Sequence, residues 1–131
     1  MKKLYLPLFF IFIALNGFVA DDPFSKVADS IRQGNINQLT AMMAESVEIA
    51  VPGNESTFSK TQAAVVLNNF FSQNKPVSVK VLHKVNSNAH YQLGVLLVDT
   101  SSGLYRVALT LKEIKGTLQL IEFRVEPAKV K

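Results

Sequence analysis

From Val77 to Glu126 the chain alternates apolar and polar residues with period two, and this run limits the fold more than any other feature. Segments 77–85, 89–99, 104–113 and 117–126 read as four consecutive strands separated by short polar turns. Turns that short join antiparallel neighbours, so the second half of the chain is a meander. The first half follows a helical period instead. Asp22-Pro23 is an N-cap followed by proline at the first helical position, Phe24, Val27, Ala28 and Ile31 share one helix face, and Gly34 suits a left-handed C-cap. Asn35 or Asn37 opens a second short helix carrying Leu39, Met42 and Met43. Val47, Ile49 and Val51 form a brief strand that Pro52-Gly53-Asn54 ends. Ser59 and Gln62 have capping-box spacing, and the helix they open places Ala63, Val66, Leu67, Phe70 and Phe71 together before Pro76 stops it. Helices, strand, helix and meander together give an α+β domain with a mostly antiparallel sheet wrapped on helices.

Parity extends the reading, because a side chain's face in a strand is set by odd or even position. Val77, Val79, Val81, Val85, Leu93, Val95, Leu97, Tyr105, Val107, Leu109, Leu111, Ile121, Phe123 and Val125 are all odd. Three-residue turns at Asn86-Ser87-Asn88, Thr100-Ser101-Ser102 and Ile114-Lys115-Gly116 would keep them on one face. That odd face is the expected core and pocket. The even face then carries Leu96, Val98, Ala108, Leu118 and Leu120 inside a basic rim that includes Arg106. Aliphatics at that density suit a contact surface, so these six residues are the expected dimer face.

The first twenty residues supply an address. Lys2 and Lys3 precede an uncharged stretch from Leu4 to Leu15, and Ala20 stands directly before Asp21-Asp22. This is the layout of a secretory signal peptide, and the apolar run is shorter than the ~20 residues a spanning helix needs. The expected mature domain is therefore residues 21–131, a single exported unit of 111 residues, periplasmic or secreted and free of the membrane after cleavage. Loss of Lys2 and Lys3 leaves 12 basic residues against 10 acidic ones, a net charge of +2 that gives no footing for a nucleic-acid partner. The absence of cysteine excludes disulfides, thiol nucleophiles and thiolate metal sites.

The order of elements resembles the nuclear-transport-factor-2-like fold, the curved-sheet cone shared by ketosteroid isomerases and polyketide-cyclase relatives. More narrowly, DPFSKVADSIRQGNINQL, VEIAVPGNESTFSKTQA and LNNFFSQNKP resemble a family of small exported bacterial proteins of unknown function, over roughly residues 23 to 126. The resemblance implies fold and export and is silent on activity, so function has to come from the site.

Enzymes of this fold generally hold a carboxylate or a carboxylate–His pair inside the cone as general base. Here the odd face offers His83, Tyr91 and Tyr105 well inside strands, while Asp99, Glu113 and Gln119 fall at strand ends. His83 suits a base or a ligand donor, or more plainly a packed histidine with one nitrogen bonded. Tyr91, Tyr105, Phe70 and Phe123 complete the candidate pocket, and aromatic rings of this kind also simply fill a cone. His83 and His90 suggest a metal, but three-residue turns point them to opposite faces and no third donor is evident, so neither metal nor cofactor is expected. The leading expectation is a non-catalytic domain that binds a small apolar molecule in its cone or acts as a homodimeric interaction module. The alternatives are an isomerase, cyclase or dehydratase using His83 with Tyr91 or Tyr105, and an inhibitor or immunity-like partner of another exported protein.

Overall fold

The computed structural model describes residues 22–128, and its helix ends fall where the capping residues put them. Helix α1 (Pro23–Gln33) begins with the Asp22 carboxylate accepting the Phe24 N–H at 3.1 Å. It ends at Gly34, whose φ of 71° lets the Gly34 and Asn35 amides turn back to Ile31 O and Ser30 O. Helix α2 (Ile36–Ala41) follows at once, capped by the Asn35 side chain. Helix α3 (Lys60–Gln73) carries a complete capping box, with Ser59 Oγ accepting from the Gln62 N–H and Gln62 Oε1 from the Ser59 N–H.

The strands are β1 (Met43–Val51), β2 (Asn54–Ser59), β3 (Pro76–Asn88), β4 (Tyr91–Thr100), β5 (Gly103–Ile114) and β6 (Thr117–Pro127). They form one curved sheet in the order β2-β1-β6-β5-β4-β3. Every neighbouring pair is antiparallel except β1 and β6, which run parallel one strand in from the β2 edge. Strand β2 is an addition to the expected order: Pro52-Gly53 does not end the sheet but turns it, with Gly53 at φ 89° and Val51 paired to Asn54. Asn54–Ser59 is an edge strand with five of its six residues exposed, so it has no apolar alternation to reveal it.

The helices lie in the concave side of the sheet. Phe24, Val27 and Ile31 of α1 and Leu67 of α3 are fully buried against Leu96, Val107, Leu109 and Phe123. Burying each such side chain contributes ~1.5–3 kcal/mol. Phe24 sits so close to the sheet that a Cβ built on Gly94 would overlap its ring.

The parity expectation fails in a regular way. Thr100 pairs with Gly103 and Ile114 with Thr117, so two hairpins turn through two residues, not three. Lys115 and Gly116 both take positive φ, 54° and 82°, which makes a type I′ turn. Each missing residue reverses which face the next strand presents. The core face of β4 is therefore even-numbered: Leu96 pairs with Val107 and both are fully buried, while Leu93 and Leu97 face out. An extra residue, Ile121, restores parity in β6, so that Leu120 and Phe123 both point inward. Asn86-Ser87-Asn88 is not a turn. Asn88 pairs with Tyr91, and three register shifts each place an additional residue in β3.

Candidate functional site

The cone is closed by its own side chains. Among the described residues its buried polar groups are Ser30, Thr100 and Thr110, and each hydroxyl donates, to Lys26 O, Gly103 O and Glu122 Oε1 respectively. Every charged side chain described stands at least partly in solvent. Tyr105 is half-buried and has structural partners. Its hydroxyl donates to Asn74 Oδ1 at 3.2 Å, Asn74 Nδ2 donates to Phe70 O at 2.8 Å, and its ring meets Phe70 edge-on at 5.2 Å. These bonds fasten β5 to the C-terminal end of α3. Ser101 and Ser102 reinforce them from the β4–β5 turn through Lys75 and Gln73.

Of the sequence-predicted pocket residues, Tyr105 and Phe70 meet edge-on, but His83 and Tyr91 do not join them. Phe123 and Phe70 are core side chains, buried on the concave side. His83 is exposed opposite Val95 on the convex side, because the bulge after Val81 turns it there. Tyr91 is also exposed, paired with Lys112. Tyr105 lies across the sheet from both. Hollows of about 500, 470, 360 and 170 Å³ are lined by described residues; the last takes in Phe70, and none of the four takes in His83, Tyr91, Tyr105 or Phe123. No three His, Asp or Glu side chains among the described residues gather as a metal would require. No described helix is long and apolar enough to cross a membrane.

The expected dimer face needs the matching correction. Leu96, Val98 and Leu120 are fully buried, because the two-residue turns and the Ile121 bulge direct them inward. Leu118 is half-buried against the core. Arg106 and Ala108 do lie on the convex face, next to Leu97 and Val95. The turn residue His90 is bonded through Nδ1 to Glu113.

Residues 24–126 match a family described as a domain of unknown function, DUF4783. The chain belongs to that family. The DUF4783 chain is similar to a family member from Bacteroides ovatus, at 20% identity over 80% of this chain and 94% of that one, with a TM-score of 0.74. It is also similar to one from Bacteroides uniformis, at 18% identity over 81% and 97%, with a TM-score of 0.75. A protein of the NTF2-like family from Streptomyces avermitilis shares the fold at 10% identity over 81% and 91%, with a TM-score of 0.57. No curated protein matches the chain. The α+β cone anticipated from sequence is thus the fold of this DUF4783 protein.

The convex face of the DUF4783 sheet is divided by chemistry. Val85, Tyr91 and Leu93 are large apolar side chains exposed on this face, which locates its apolar surface at the β3–β4 edge. Val85 and Leu93 are cross-strand partners, 54% and 41% exposed, with Val95, Leu97 and Ala108 beside them. Lys80, Arg106 and Lys112 border this half. The β6–β1–β2 half is acidic, carrying Glu48, Glu55, Glu122 and Glu126. Arg124 is held among three of them, at 3.3 Å from Glu122, 3.3 Å from Glu55 and 3.8 Å from Glu48. The hydrogen bond to Glu122 and the charge of Glu55 raise the guanidinium pKa further above its ordinary value.

Proposed function

We propose that this protein is an exported, non-catalytic interaction module that pairs face to face with a second copy through the convex side of its sheet. The supporting observation is the divided convex face: an exposed apolar patch with basic borders on β3–β5, and a carboxylate cluster on β6, β1 and β2. A two-fold axis through the sheet would lay the basic half of one copy on the acidic half of the other. An isologous contact needs that self-complementarity. Six strands about 4.8 Å apart, with ~10 residues at ~3.3 Å each, span a face on the order of 900 Å². A standard interface buries ~800 Å² per partner. The filled cone supports this reading over a ligand held inside it, and the leader in residues 1–20 supports export.

Sedimentation velocity tests the pairing. The expected result is a dimer that Leu93→Glu, which sets a carboxylate against the partner's acidic half, converts to a monomer with an unchanged far-UV spectrum. A wild-type monomer at 200 μM, or a Leu93→Glu variant that still dimerises, would refute the proposal.

A further inference from the structure

A second region, which meets the convex face at Lys112, is built for a ligand. The β1–β6 ladder breaks between its Met43–Leu120 and Glu48–Glu122 pairs, so four residues of β1 stand opposite Ile121 alone. The opening is a hollow of about 500 Å³ whose walls include Ala44, Ile114 and Ile121. Lys60, Lys112 and Lys115 line it as well, against one acid, Glu45. A second hollow of about 470 Å³, beside Met42 and Leu118, shares Lys60 and Gln119 with it as lining residues.

What sets these lysines apart from other surface cations is that they share one hollow. The ion pairs between described residues engage Arg32, Lys84, His90 and Arg124, and none engages Lys60, Lys112 or Lys115. Lys115, moreover, is the one described residue other than glycine with positive φ, at 54°. A left-handed backbone costs an L-residue free energy, and Asn or Asp holds that turn position more readily. The type I′ turn that joins β5 to β6 requires this backbone, and it fixes Lys115 at the lip of the hollow.

We propose that this hollow binds a soluble anionic amphiphile. Its carboxylate head is met by Lys60, Lys112 and Lys115, and its flexible apolar chain lies along Ile121, Leu118 and Met42. Both ends are needed. The lysines outnumber Glu45 and attract the charge, while the aliphatic walls and the adaptable Met42 thioether accept a chain. The combined hollows lie in the size range of small-molecule sites.

The test is a titration of isotope-labelled protein with decanoate below its micelle concentration, followed by amide and methyl NMR shifts. Saturable shifts centred on Lys112, Lys115 and Ile121 are expected, with decanol at least tenfold weaker and inorganic phosphate weaker still. Lys112→Glu should weaken decanoate at least tenfold. Lys115→Asn should raise the melting temperature yet weaken binding, separating the strain from the fold. Equal affinity for decanol, or equal affinity for phosphate, would overturn the proposal. So would shifts confined to β3 and β4, or binding only to vesicles containing anionic lipid.

Discussion

Phe24 owes its position to a residue with no side chain. Its ring occupies the space that a Cβ on Gly94 would need, so the first helix can seat on β4 only because position 94 is glycine. Gly94→Ala should destabilise the protein by about 1–3 kcal/mol through overpacking, read as a lower urea midpoint with an unchanged slope. Asp22 works at the same junction, capping α1 and pairing with Lys84 at 2.6 Å. Partial burial raises its pKa, but the Lys84 and Phe24 hydrogen bonds and the Lys84 charge outweigh that, and the net shift is downward. A carboxylate with a depressed folded pKa contributes stability above its unfolded value of about 3.9 and loses it as pH falls through the folded value. Asp22→Asn keeps a capping acceptor but loses the ion pair, so it should cost less than about 1 kcal/mol at pH 7. That difference should disappear at pH 2 in parallel urea titrations. A gap that persisted at pH 2 would mean the ion pair is not its source.

At the scale of elements, local signals and long-range ones divide cleanly. The capping box of α3 depends on four consecutive residues and can be seen in them. Ser59→Ala should remove about 1 kcal/mol by leaving the Gln62 N–H without its side-chain acceptor. Circular dichroism melts of the variant and of Ser59→Asp, which restores an acceptor, check that figure. Strand existence was equally legible from Val77 onward. Strand facing was not, because it depends on the parity of turn length and on bulges. Lys115-Gly116 carries no Asn-Gly signal, yet it makes a two-residue turn. Three bulges in β3 bend that edge strand along β4, and period two alone does not show where an extra residue enters. Strand β2 escaped notice because an exposed edge strand needs no alternation.

For the whole molecule, inverting β4 exchanges the roles of neighbouring leucines. Leu96→Arg would place a charge in the core and should abolish the cooperative melt, whereas Leu93→Glu should leave the melt intact and change only association. A folded Leu96→Arg protein would show that the register of β4 is misassigned. Candidate sites were less legible than the fold for the same reason. His83, Tyr91 and Tyr105 share odd numbers, yet bulge and turn send Tyr105 to one side of the sheet and the other two to the opposite side. Lys60 lies far in sequence from Lys112 and Lys115, and it shares a hollow with them only because β6 departs from β1 at Ile121. The sequence by itself determined the helices, their caps, the four-stranded meander and the α+β class, since those depend on neighbours a few residues apart. Only the tertiary structure decided which face of each strand is buried, where β1 inserts beside β6 and which cations share a hollow. Those outcomes depend on register, and a shift of one residue in a turn or bulge reverses every side chain beyond it.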